Sequence, residues 1–229
     1  MQIQGFDLSK SNPCLLFIIL RKILRTVYHL LYHTFAWSYD LVAAIVSAGN
    51  WNTWVKETIP YLSGPNILEI GFGPGHLQID LNEKGYIPFG IDESWQMIGQ
   101  ATGRLQSSHF QPRLARGISQ QLPYKSAFDS IVSTFPSEYI FDPKTTQEMY
   151  RVLKPGGKLV ILLSAVPNRN RLISRFFSRL EKLFKFDASK QFNTKLEEFI
   201  QLFQSEGFKV KSEFLERGKV SLLILSGEK

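Results

Sequence analysis

Cysteine is almost absent from this chain: Cys14 stands alone, so no disulfide can form within it. Nothing then requires an oxidising compartment, and a cytoplasmic setting is expected. Histidine is nearly as scarce. His29 and His33 lie one helical turn apart, but no further ligands stand near them and no metal site is expected. Long apolar runs are missing as well. The run Cys14 to Leu20 is cut by Arg21 and Lys22, well short of the roughly 20 residues that span a bilayer. No small-residue cleavage site follows it, so neither a membrane span nor export is expected. Internal repeats and low-complexity tracts are lacking too.

What is present is a composition that folds. Hydrophobic residues make up 44% and charged residues 21% of 229, near the average for globular domains and far from disorder. One domain is expected from that length, with residues 1–62 as a helical cap, 63–166 as the core, 167–190 as an insertion, and 191–229 as the last helix and closing hairpin. The net charge of +7 is concentrated, with Arg169, Arg171, Arg175, Arg179, Lys182 and Lys185 opposed in that stretch only by Glu181.

Apolar residues at Leu20, Leu24, Val27 and Leu31 predict leading helices, and the helical pattern runs from Trp51 to Leu62 until Ser63-Gly64-Pro65 breaks it. Short apolar runs then alternate with helical stretches, the pattern of an α/β fold with a doubly wound, mostly parallel sheet. Strands are expected at Ile67–Ile70, Ile87–Ile91, Pro112–Arg116, Asp129–Thr134 and Lys158–Leu163. Thr194 with Glu197 reads as a capping box that starts the last helix, and Gly207 as its end. Phe208–Leu215 and Val220–Leu225 follow as an antiparallel hairpin around Arg217-Gly218.

The chemistry gathers at Ile67-Leu68-Glu69-Ile70-Gly71-Phe72-Gly73-Pro74-Gly75, followed by His76. Glycines directly after a buried strand let the backbone turn sharply and approach a ligand closely, and the helix that follows aims free amides at it. Asp92, 21 residues after Gly71 at the end of the next strand, can accept hydrogen bonds from both hydroxyls of a ribose. A nucleoside ligand is the shared implication. A dinucleotide fingerprint needs glycine where His76 stands, so the G-x-G-x-G spacing points away from nicotinamide cofactors. A plain tight turn is the bland alternative.

This loop, Asp92-Glu93-Ser94-Trp95-Gln96-Met97, Leu122-Pro123-Tyr124 with Phe128-Asp129, and Tyr150-Arg151-Val152-Leu153-Lys154-Pro155-Gly156-Gly157 together resemble the motifs of class I S-adenosylmethionine-dependent methyltransferases. In style the closest subgroup is that of quinone biosynthesis. The resemblance implies a seven-stranded sheet ordered 3-2-1-4-5-7-6 with strand 7 antiparallel. It implies S-adenosyl-L-methionine as cofactor, with Glu69 facing the ammonium end, Gly71, Gly73 and Gly75 passing the methionine part, and Asp92 on the ribose. Glu93 and Met97 would lie near the adenine and Thr134 at the end of the fourth strand, while Tyr39, in a leading Tyr-Asp pair, would act as a lid contact. One departure stands out: the family's adenine-binding Gly-Asp-Ala is Gly117-Ile118-Ser119 here. Ile118 is then expected to pack on the adenine, with backbone amides near Ile118 and Ser119, or Gln120 or Gln121, meeting its edge.

Methyl transfer from a sulfonium needs little acid–base help when alignment and desolvation are supplied, so no catalytic dyad is required. Glu138, Tyr139 and His76 are candidates for positioning or deprotonating an acceptor, each with an ordinary structural reading beside it. Thr134-Phe135-Pro136-Ser137 lacks the pattern of base-modifying enzymes. Tyr150 and Lys154 have dehydrogenase spacing, but Pro155-Gly156-Gly157 immediately follows and ends the helix, so the pair is coincidental. Residues 169–186 alternate apolar and basic positions at helical spacing, as a lid over the acceptor pocket or a peripheral membrane contact would. The expected activity is methyl transfer to a small or lipophilic, quinone-like acceptor. A nicotinamide-dependent oxidoreductase and a membrane-associated protein that keeps the fold without catalysis are the alternatives, with nucleic acid a minor one.

Overall fold

A computed structural model of the chain describes residues 49–167 and 188–229. Tyr39, His29, His33, the leading helices and the basic stretch 169–186 lie outside the described residues.

Seven strands form one sheet in the order β3-β2-β1-β4-β5-β7-β6. They are β1 (Asn66–Ile70), β2 (Ile87–Asp92), β3 (Leu114–Arg116), β4 (Phe128–Thr134), β5 (Leu153–Pro167), β6 (Lys209–Arg217) and β7 (Val220–Glu228). The β1, β2, β3, β4 and β5 pairings are parallel, and β7 runs antiparallel to both β5 and β6. The expected strand order is therefore the observed one. Helices α1 (Trp51–Lys56), α2 (His76–Glu83), α3 (Trp95–Ser107), α4 (Pro143–Val152) and α5 (Ala188–Ser205) connect or flank the strands.

Both faces of the sheet are covered because its strands are apolar on both sides. On β1, Leu68 and Ile70 join a core with Ile131, Met149, Phe199 and Phe203. Ile67 points the other way, to Val55, Leu77, Leu81 and Val160. This period of two puts Glu69 on the α2 face at 1% exposure, a buried acid among aliphatic neighbours.

Three sequence expectations need correction. The last helix starts at Ala188 rather than Thr194; no glycine or proline lies between them to stop it, so Thr194 is helix interior and not a cap. Strand β5 starts at Leu153 rather than Lys158, because the Pro155-Gly156-Gly157 turn is drawn into the sheet: Gly156 N–H donates to Lys229 O and Lys229 N–H to Gly157 O, at 3.0 and 3.1 Å. Helix α1 ends at Lys56, and a separate 3₁₀ turn at Ile59–Tyr61 completes the stretch expected as one helix. Pro60 lacks the N–H that would continue it.

The Arg-Val-Leu-Lys-Pro-Gly-Gly motif is architectural. Arg151 donates to Tyr124 O and Leu122 O at 2.6 and 2.9 Å and pairs with Glu148, which fixes the Leu-Pro-Tyr turn against α4. Val152 and Leu153 are fully buried, and Lys154 pairs with Asp129 at 2.7 Å. Tyr150 stacks edge-on against Phe208. Helix α4 ends between Tyr150 and Lys154, as the coincidental reading of their spacing requires.

Candidate active site

The glycine loop leaves the C-terminal end of β1 with Gly71, Gly73 and Gly75 at φ 73°, 52° and 84°, all in the left-handed region that favours glycine. Gly75 also has no room for a side chain, since a Cβ there would stand 2.7 Å from the Ala101 Cβ on α3. Around Gly73 a Cβ would meet nothing within 4 Å, so that part of the loop faces open space. Here the residues fit a ligand lying along the backbone.

Asp92, at the end of β2, is 4% exposed and holds the loop in place. Its Oδ2 accepts from Gly73 N–H at 3.0 Å and its Oδ1 from Ser94 N–H at 2.9 Å. Burial raises its pKa, the two N–H bonds oppose that rise, and nearby Glu93 adds to it. Ser94 in turn caps α3 through Met97 N–H. The carboxylate keeps lone pairs beyond those two bonds for a bound hydroxyl.

Two cavities open at this end of the sheet, and Gly71 lies in the wall of both. The larger, about 470 Å³, is lined among others by Asp92, Glu93, Ile118, Ser119, Glu138 and Tyr139, a size within the range of small-molecule sites. The smaller is lined by Glu69, Gly73, His76, Thr134 and Trp51 among others. Glu69 is fully buried and pushed up to about 8 by that burial, opposed by a 2.7 Å hydrogen bond from Gln78 Nε2 and reinforced by Asp92 and Asp80. Gln78 Oε1 is buried with no hydrogen-bond partner among the described residues.

Of the residues singled out in the sequence, Glu69, Gly71, Gly73, Asp92, Glu93, Ile118, Ser119 and Thr134 all line one cavity or the other. Gly75 instead packs against α3. Met97 is fully buried and lies outside both walls. Ile118 is 48% exposed, on the larger cavity. Ser119 Oγ is 2.9 Å from Thr145 Oγ1, and Gln120 donates to Asp142 at 3.2 Å, so both side chains are tied to α4.

The three candidates for acceptor chemistry differ in setting. Glu138 lines the larger cavity. His76 opens α2, where the Arg104 Nη1 lies 2.8 Å from its Nδ1 and 2.5 Å from its Nε2; guanidinium only donates, so the ring accepts. Tyr139 hydrogen-bonds to the end of β1. Ser133, Ser137, Asp142, Trp51 and Gln78 were not legible as site residues. Asp142 had a signal in Asp142-Pro143, a helix-start pair, and Gln78 in being a polar residue beside Leu77 on a buried helix face.

A family model described as "Methyltransferase domain" matches residues 67–157. The chain is 29% identical over 148 residues to a demethylmenaquinone methyltransferase of Symbiobacterium thermophilum, covering 60% of this chain and 59% of that one. A second demethylmenaquinone methyltransferase, from Shouchella clausii, is 28% identical over 206 residues, covering 82% and 86%. The chain thus spans about three fifths of the first relative's length and more of the second. Among solved structures, a SAM-dependent methyltransferase of Methanosarcina mazei superposes with a TM-score of 0.53 at 21% identity, covering 75% of this chain and 95% of that one. At that identity the likeness is one of fold. The domain model over residues 67–157, the strand order and the glycine loop make this chain similar to the class I methyltransferases, and the relatives it resembles include demethylmenaquinone methyltransferases.

Proposed function

We propose that this protein transfers a methyl group from S-adenosylmethionine to a small lipophilic, quinone-like acceptor. The observation that carries the reading is the Asp92-pinned glycine loop running between two cavities that share Gly71. The larger takes the adenosine, with Asp92 for the ribose and Ile118 against the base. The amino-acid end runs along the loop past Gly73 toward the smaller cavity, which is only about 20 Å³ and has Glu69 in its wall, near the cationic ammonium. The demethylmenaquinone methyltransferase relatives support a quinone-like acceptor.

When bound, the cofactor supplies an electrophilic methyl on a sulfonium. The protein's own work is to align and dry the site. The loop backbone fixes one partner, and the β4–α4 segment contributes Ser137, Glu138 and Tyr139 to the wall of the same cavity. An acceptor that took this methyl would have to give up a proton. Glu138 is positioned on the cavity wall to receive that proton or pass it to water. Among the described residues no helix is long and apolar enough to cross a membrane.

The nicotinamide alternative is disfavoured by His76, which occupies the first position of α2 where a dinucleotide loop places glycine. Isothermal titration calorimetry tests the choice. Binding of S-adenosylhomocysteine with no heat from NADH or NADPH is expected, and the reverse result overturns the proposal. Transfer of labelled methyl from S-adenosylmethionine to a demethylated quinone then tests the acceptor.

A further inference from the structure

The register of β1 with β4 pairs Ile67 with Ser130, Leu68 with Ile131 and Glu69 with Val132, and it stops there. One position further on, the β1 chain turns away into the glycine loop. Gly71 N–H still reaches β2, donating to Ile91 O at 2.8 Å. The Ile70 carbonyl on the other side has lost its backbone ladder. Two hydroxyls replace it. Ser133, next in register on β4, donates to Ile70 O at 2.8 Å, and Tyr139, from the segment after β4, donates to the same oxygen at 3.1 Å. The two hydroxyls are also 2.9 Å apart. The Ile70–Gly71 peptide is therefore gripped through both its N–H and its C=O, at the one residue common to both cavities. A Cβ on Gly71 would come within 2.5 Å of the Tyr139 hydroxyl, so glycine and phenol are fitted to each other.

A phenol whose proton is directed at a backbone carbonyl is not placed to remove one from an acceptor. We infer that Tyr139 and Ser133 are positioning residues that set the Ile70–Gly71 peptide for the cofactor, and that Tyr139 is not the catalytic base. The inference rests on reading the site as an S-adenosylmethionine site. Tyr139 also lines the larger cavity, so it ties one wall of that cavity to the end of β1.

The test is calorimetric titration of S-adenosylhomocysteine into the full chain, with thermal melts of the same samples. Tyr139→Phe and Ser133→Ala each lose one neutral hydrogen bond to this carbonyl and should raise Kd about fivefold to tenfold. The double variant should fall short of the product of the two, since the hydroxyls share one acceptor and each other. Phe141→Ala serves as the control: this residue is 57% exposed and stacks on Phe199, so its loss should lower Tm while leaving Kd unchanged. A wild-type Kd in Tyr139→Phe, or an equal rise in Phe141→Ala, overturns the inference. So does Tyr139→Phe with unchanged Kd but no methyl transfer, which would make Tyr139 the base. If the wild-type protein does not bind S-adenosylhomocysteine at all, the cofactor reading itself has failed and the inference falls with it.

Discussion

Gln78 donates its side-chain amide to Glu69 at 2.7 Å inside the fold, nine residues away across the glycine loop. This fully buried acid thus receives its hydrogen bond from a neutral amide, with the carboxylates of Asp92 and Asp80 raising its pKa further and Lys56 engaged with Asp80 at 2.7 Å. Helix α2 and strand β1 are joined through an acid that the fold would rather keep protonated.

A pH dependence follows. Glu69 holds its proton up to about pH 8 in the fold, whereas an unfolded glutamate loses it near pH 4.3. The contribution of Glu69 to stability is complete below the unfolded pKa, declines as pH rises, and is gone above about 8. Glu69→Gln keeps an uncharged group of the same shape. Without cofactor it should be more stable than wild type by on the order of 5 kcal/mol at pH 8.5 and nearly equal at pH 4.5. Thermal melts across that range check it, and a constant difference would refute the assigned proton.

Gly73 and Gly75 should separate binding from folding. Gly75→Ala forces a Cβ to within 3.0 Å of the Ala101 backbone at φ 84° and should cost about 2–4 kcal/mol in chemical denaturation. Gly73→Ala meets no protein atom and should cost only about 1 kcal/mol. Its methyl group projects into the ligand's path, so S-adenosylhomocysteine affinity should fall by about tenfold or more.

Asp92→Ala leaves the Gly73 and Ser94 N–H groups without their acceptor and removes the ribose partner. Affinity for S-adenosylhomocysteine should drop at least about 30-fold, with roughly 1–3 kcal/mol lost from the fold. Unchanged binding by calorimetry would remove Asp92 from the site.

Arg151→Ala should show the opposite pattern. It breaks the bonds to Leu122 O, Tyr124 O and Glu148, none of which belongs to the cavities. A loss of about 1–3 kcal/mol with unaltered Kd is expected.

The strands and the glycine loop were legible because their signals are local: alternating or continuous apolar runs, and glycine where φ must be positive. The edge of each element was less so. Nothing within a few residues of Thr194 reveals that the helix continues back to Ala188. The grip on Ile70 was illegible for a different reason. Its hydroxyls stand 63 and 69 residues along the chain from the carbonyl they bind, and only the register of β1 against β4 brings them there. Sequence singled out Tyr139 by its place after β4 but could not show that its proton is already committed. Met97 was singled out by its place near Asp92, and its side chain is buried and lines neither cavity.

Gly71 stands at the watershed of the two cavities. Anything that reaches from one to the other must cross that single peptide, so a small rotation there would be felt on both sides of the loop at once.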